Sequence, residues 1–251
     1  GLFGFTAYQA ALSTVASVVL GLPGAYVLSR YDFRGRRTLR ALTIVPFVLP
    51  SIMVAVGFVA MFGRTGLLND VLTGLGLGRV ELLYTLEAII VAHAFYNAPL
   101  VTRLVTTAWE SVDRRQVESA RAMGASPLSA FRDVVLPAIL PSLLTAALLT
   151  FVFTFMSFPI VLALGDLRLA TVEVWVFARV QALDLSEAAT LATLETVLSL
   201  ALTYLYLRYE ARQRSTSGAG QSLPRKPLTI GWQTLRSPTR FAIFAYGVVA
   251  V

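Results

Sequence analysis

Three polar side chains stand inside runs that are otherwise apolar, and chemistry is first sought there. Glu195 interrupts the apolar run 188–207, and His93 and Asn97 lie four residues apart in the apolar stretch between Glu87 and Arg103. A spacing of four puts two side chains on one helical face. Polar groups in apolar surroundings turn toward a cavity or a partner helix, because hydrocarbon offers them nothing to bond. For Glu195 two readings stand: a carboxylate protonated or hydrogen-bonded within a helix bundle, or a cavity carboxylate favouring a cationic solute. His93 and Asn97 are likewise open between interhelical hydrogen bonding and the lining of a pathway. One histidine and no cysteine give no basis for a metal centre, and no cofactor is expected. A membrane enzyme using Glu195 and His93 would need a clustered acid, base and nucleophile. The sequence offers no such cluster, so no catalytic residue is expected.

The elements that carry these residues are read from the distribution of charge. Apolar residues make up 56% of the 251 and charged residues 14%, too much apolar surface for a soluble domain that must keep a polar exterior. No Asp, Glu, Lys or Arg occurs in residues 1–29, 41–63 or 134–165. Each block exceeds the roughly 20 residues that cross a hydrocarbon core of about 30 Å. With two weaker runs, this predicts an all-α polytopic membrane protein with five spans, at about residues 5–29, 41–62, 82–108, 137–164 and 187–209.

The net charge of +7 invites a nucleic-acid partner, but the positions of the basic residues argue for a lipid bilayer. Arg30, Arg34, Arg36, Arg37 and Arg40 follow the first span, and Arg114, Arg115, Arg121 and Arg132 lie in segment 109–136. Arg208, Arg212, Arg214, Arg225 and Lys226 follow the fifth span. The alternate connections carry only Arg64 and Arg79, then Arg168 and Arg179. That asymmetry places the basic segments in the cytoplasm and excludes nucleic acid as the partner.

Residue 1 then lies outside, with no signal peptide before it, so a piece of a longer protein is expected, with one more span upstream. Residues 210–238, rich in Arg, Ser, Gly, Gln and Pro, read as a cytoplasmic linker. Residues 239–251 read as the truncated start of a further span, belonging to a second copy of the unit. Pro23, Pro46, Pro50, Pro99, Pro137, Pro141 and Pro159 fall within spans. They fit ordinary bundle packing or the hinges and cavity walls of a transporter.

Segment 109–136 carries local signals for two short cytoplasmic helices. Asp113 caps the first, with Gln116 completing a capping box. Val117, Ala120 and Met123 share its apolar face, and Gly124 stops it. Ser126 and Pro127 start the second, with Leu128, Phe131 and Val135 as its apolar stripe. On pattern alone this is an amphipathic hairpin on the lipid surface.

The residue types at these spacings carry a further meaning. Glu118-Ser119-Ala120, three residues, Gly124, nine residues, then Val134-Val135-Leu136-Pro137 resembles the EAA motif of binding-protein-dependent ABC importer permeases. Ser119 replaces the family's second alanine and Val134 its isoleucine. The resemblance implies a type I importer membrane domain of five spans whose cytoplasmic loop is a coupling helix set into a groove of an ABC ATPase subunit. Glu118 would pair with a polar or basic group there, Ala120 and Gly124 would allow close approach, and Met123 and Ala125 would fill the groove. ATP-driven closure of two ATPases would then tilt the spans between outward- and inward-facing states, and the permease itself would be no enzyme. Residues 155–165, Thr171-Val172-Glu173-Val174 and residues 184–189 are similar to the thiamine and iron(III) permease group. The resemblance also implies an extracytoplasmic solute-binding protein, met by residues 63–81 and 166–185, and a second permease unit, fused or separate. The competing readings are an ion-coupled secondary transporter, which needs no ATPase-docking segment, and the membrane enzyme above.

Overall fold

The computed structural model describes residues 1–214 and 226–227, and nearly all of them are helical. In chain order the elements are α1 (Leu2–Arg30), β1 (Tyr31–Asp32), α2 (Arg36–Leu42), α3 (Val45–Val48), α4 (Ser51–Phe62), α5 (Leu67–Gly74) and α6 (Leu86–Glu110). Then come α7 (Arg114–Ala122), α8 (Pro127–Ala130), α9 (Leu136–Phe155), α10 (Phe158–Leu164), α11 (Val172–Gln181), α12 (Leu185–Arg214) and β2 (Lys226–Pro227). The two short strands pair in parallel, Tyr31 with Lys226 and Asp32 with Pro227. Among the described residues, five stretches are long and apolar enough to cross a membrane: Leu2–Arg30, Ser51–Gly74, Leu86–Glu110, Pro127–Phe155 and Leu185–Ala211.

Two apolar runs expected as single helices are divided, and proline explains where. The run 41–62 is split into the end of α2, then α3, then α4, with Pro50 in extended conformation just before α4. Pro50 has no N–H to donate, and its ring pushes Leu49 out of the helical region. The run 137–164 breaks at Met156–Ser157, between α9 and α10, and Pro159 stands in the first turn of α10. Conversely, the second short helix expected after Ser126 is not separate. A π-helical turn over Phe131–Val135 joins α8 to α9, so helix runs from Pro127 into the apolar run. Pro137 cannot donate to the carbonyl four residues back, and a widened turn accommodates that loss. At the other end α12 extends to Arg214, into the stretch expected as linker. The rest of 210–238 and all of 239–251 lie outside the described residues, except for β2.

The chain forms two compact units. The first comprises residues 1–17, 47–97 and 149–207. Its apolar core gathers Val54, Ala55 and Phe58 of α4, Ala88, Ile89 and Ala92 of α6, and Ile160, Val161 and Leu164 of α10. Beside it, Thr6, Gln9, Ser13 and Ser17 of α1 are fully buried, three or four residues apart and so on one face. Thr6 accepts from the Val172 N–H (3.1 Å), and Gln9 donates to the Thr154 carbonyl (2.9 Å). Such bonds replace the hydrophobic effect as the glue between helices that sit in lipid.

The second unit comprises residues 18–46 and 98–148, with the described residues after 207. Its core runs through Val101, Val105 and Trp109 of α6, Val117 of α7, Val135 of the π-helical turn and Ile139 of α9. At Gly21 the α1 and α6 backbones nearly touch: a Cβ there would lie 2.8 Å from the Ala98 carbonyl oxygen and 2.8 Å from Val101 Cβ. Thr102 donates its hydroxyl to the Gly21 carbonyl at 2.9 Å. Arg36, read from sequence only as cytoplasmic charge, is buried. It donates to the Leu28 carbonyl and pairs with Glu110 at 2.6 Å.

Candidate functional site

The segment that resembles the EAA motif lies in the second unit, and its shape follows from its caps. Asp113 accepts from the Arg115 N–H (2.9 Å) and starts α7. At the other end Gly124 adopts φ 93°, its N–H donates to the Arg121 carbonyl (3.0 Å), and the Ala125 N–H reaches back to Ala120 (3.1 Å). This pair of bonds is a Schellman stop, which needs a left-handed residue after the helix and so favours glycine. Ser126 then accepts from the Ser129 N–H (3.1 Å) and opens α8. Val117 is buried, and Ala120 and Ala125 pack on the same core as Val135 and Leu136. Phe131 stacks beside Trp109 with centroids 5.7 Å apart, fixing the entry to α9.

One expectation is corrected here. Met123 does not continue the buried face of Val117 and Ala120: it is 83% exposed, and Leu128 is 76% exposed. The helix ends at Ala122, so the residue after it leaves the helical face. Glu118, Ser119, Gly124 and Pro137 are exposed as well, and Glu118 forms an ion pair with Arg114 on its own helix. The space around the Gly124 Cα is open, with no atom within 4 Å of a built Cβ. Within this chain, therefore, backbone conformation alone calls for glycine there.

His93 and Asn97 lie in the first unit, at the break between α9 and α10. His93 is buried with both ring nitrogens engaged, Nδ1 with the Ser13 hydroxyl at 3.1 Å and Nε2 with the Ser157 hydroxyl at 2.8 Å. Asn97 is 1% exposed and donates its side-chain N–H to the His93 carbonyl at 2.9 Å. Its Oδ1 is buried and meets no donor among the described residues. Both side chains line a cavity of about 220 Å³, together with Ser51, Tyr96 and Ser157, and with Phe153, Met156, Pro159 and Ile160 as its apolar walls.

Glu195 is not among those lining residues. The fold sets it beside Glu173 of α11, and Glu195 Oε1 and Glu173 Oε2 are both buried without a hydrogen-bond partner among the described residues. Burial, and secondarily the charge of Glu195, push the Glu173 carboxyl up to about 7. The three residues singled out from sequence thus separate into a His93–Asn97 cavity and a Glu195–Glu173 pair. The buried stripe Thr6–Gln9–Ser13–Ser17 was missed, although its helical spacing was visible. Another missed cluster locks α11 to α12: Trp175 Nε1 donates to Glu187 (3.1 Å), Arg179 pairs with Glu187 (3.1 Å), and its guanidinium lies 4.7 Å from the centre of the Trp175 ring.

Comparison with known proteins decides what kind of molecule carries these features. Residues 17–213 match the family described as binding-protein-dependent transport system inner membrane component. The chain belongs to that family. It is therefore a multi-pass membrane protein of a transport-permease family, the family that the EAA resemblance named. A thiamine transport system permease protein from Salmonella typhimurium is 34% identical over 234 residues, covering 91% of this chain and 41% of that protein. The chain thus spans well under half of that relative's length. A molybdenum transport system permease protein from Azotobacter vinelandii is 32% identical over 186 residues, 73% of this chain and 81% of that protein. The permease fold is matched by a bacterial alginate ABC transporter crystallised with an alginate pentasaccharide-bound periplasmic protein. The TM-score is 0.68 at 18% identity, over 86% of this chain and 79% of that one.

Proposed function

We propose that this permease is the membrane unit of an ATP-driven importer in a bacterial or archaeal cell membrane. It moves a small solute delivered by an extracytoplasmic binding protein, and its stroke comes from ABC ATPase subunits that grip residues 118–125. A second permease unit, fused beyond the linker or separate, completes the pathway. Thiamine is the favoured solute, on the strength of the relative that covers most of this chain; iron(III) is implied by the sequence resemblance.

The observation that carries this reading is the exposed apolar pair Met123 and Leu128 around the left-handed Gly124, on a segment anchored to the core through Val117 and Ala130. Two large apolar side chains on a rigid, capped turn suit a protein groove. A hairpin lying on lipid would bury them too, and the resemblance of residues 118–137 to the EAA motif favours the groove. Glu118 is held on the same turn by Arg114, and exchange of that exposed partner for a basic group of the ATPase costs little.

Co-purification with the ATPase tests the reading. Met123→Glu and Glu118→Arg are expected to release the ATPase and abolish solute-stimulated ATP hydrolysis, while the permease itself stays folded in detergent. Unchanged assembly and hydrolysis in both variants would remove the basis of the proposal.

A further inference from the structure

α5 carries an aliphatic row that the chain leaves largely uncovered. Leu67, Val71 and Leu75 are each more than half exposed. Spaced by four, they stand along one flank of the helix. The Leu75 N–H, bonded to the Val71 carbonyl at 3.0 Å, keeps that residue in the row. Asp70 and Thr73, also exposed, stand on another flank.

The roll of this helix is fixed by its surroundings. The Gly66 N–H closes a turn on the Gly63 carbonyl at 2.9 Å. A Cβ on Gly66 would stand 2.7 Å from the Met61 carbonyl oxygen, so the turn after α4 needs glycine there. Asn69 is buried and donates to the Gly63 carbonyl (2.8 Å) and the Val80 carbonyl (3.0 Å). It also accepts from the Val80 N–H at 2.8 Å. α5 is thus pinned through Asn69 with the aliphatic row left outward.

Lipid, a second permease unit or a soluble partner could cover that row, and its position favours lipid. α4, just before the turn, exposes Met53, Val56 and Met61 and belongs to a stretch long and apolar enough to cross a membrane. The row continues that apolar exterior. The aqueous boundary is equally near. Arg64 and Glu81 pair at 3.2 Å with both side chains well exposed, as exposed ion pairs in water are. Tyr84, three residues on, is exposed too, and tyrosine concentrates at the membrane–water boundary. An eight-residue helix is about 12 Å long, too short to cross hydrocarbon and long enough to lie along its edge. Helices that pack together in lipid favour small residues at the contact, whereas this row is Leu and Val. A soluble partner that comes and goes would leave the row in water between visits, which apolar surface resists.

We propose that α5 is an interfacial helix. Leu67, Val71 and Leu75 rest on lipid acyl chains at the headgroup boundary beside α4, and Asp70 and Thr73 face water. The proposal depends on the chain lying in a membrane and not on the ATPase reading above. It leaves a binding protein only the polar flank of α5.

The test uses the full polypeptide, with the subunits that co-purify, in lipid nanodiscs. Residues 1–251 contain no cysteine. With any cysteine elsewhere replaced by serine, Leu67→Cys, Val71→Cys, Leu75→Cys, Asp70→Cys and Thr73→Cys each carry a single nitroxide. Its collisions with oxygen, which concentrates in hydrocarbon, are compared with its collisions with a water-soluble nickel chelate. The oxygen-to-nickel ratio is expected to be several-fold higher along the aliphatic row than at the two polar positions. A uniformly low ratio would place the row in water, and a uniformly high one would sink the whole helix into hydrocarbon. Exclusion of both reagents from the row would mean a protein cover. Each of these overturns the proposal. Unsubstituted protein is read in parallel with a phospholipid bearing a photoreactive acyl chain, and adducts are expected on Leu67, Val71 and Leu75. Their absence while α4 is labelled in the same sample overturns the proposal even where a cysteine variant misfolds. Neither readout scores the ATPase, so failure here leaves the importer reading standing.

Discussion

His93 Nε2 and Ser157 Oγ lie 2.8 Å apart, tying the middle of α6 to the break between α9 and α10. The other nitrogen reaches Ser13 of α1 at 3.1 Å. A single neutral imidazole thus cross-links three helices, with one nitrogen donating and the other accepting. His93→Leu is expected to leave two buried hydroxyls without that partner and to cost about 1–3 kcal/mol. Thermal unfolding in detergent measures it. His93→Gln, with a donor and an acceptor of its own, should recover part of the loss.

Gly21 sets how closely α1 and α6 approach in the second unit. A Cβ there would press to 2.8 Å on the Ala98 carbonyl oxygen, a backbone atom that cannot rotate away. Gly21→Val is expected to part the two helices, to break the Thr102 bond and to destabilise by about 1–3 kcal/mol. A lowered melting temperature, compensated by no substitution at Val101 alone, is the expected measurement.

Gly124 separates conformation from docking. Its φ of 93° burdens a β-branched residue with roughly 1–2 kcal/mol, whereas asparagine tolerates that region. The chain leaves open space at this position. Gly124→Asn is therefore expected to match wild type in stability, and Gly124→Val to melt lower. If Gly124→Asn also loses the ATPase on co-purification, the glycine serves a partner's close approach in addition to the turn. Full retention would assign it to the turn alone.

The Glu173–Glu195 pair predicts a pH dependence of stability. Burial and then the charge of Glu195 hold the Glu173 proton to about 7, against an ordinary value of 4.5. Between those values the folded protein binds more protons than the unfolded chain, so stability falls as pH rises and levels off above about 7. Glu173→Gln is expected to flatten that slope in melting curves taken across the interval. An unaltered slope would place its origin in another group.

How much was legible in the sequence depends on how local each determinant is. The cap at Asp113, the stop at Gly124 and the start at Ser126 are encoded within a few residues of the bonds they make, and they were readable. So was the shared helical face of His93 and Asn97. The continuity of α8 with α9 was not, because a π-helical turn adjusts to Pro137 in a way that no single residue type announces. The side on which Met123 emerges was also misread, since it depends on the helix ending one residue earlier.

By itself, the sequence determined the solvent, the number of long apolar elements and the segment whose spacing resembles that of importer permeases. Those depend on hydrophobicity and on local spacing, which act along the chain. Only the tertiary structure decided what the polar intramembrane residues do. It closed His93 between two serines, buried Asn97 Oδ1 without a donor among the described residues, and brought the charge of Glu195 to bear on Glu173. Each of those relationships joins residues on different helices. Burial and charge act through space there, so the chemistry exists only once the helices are packed.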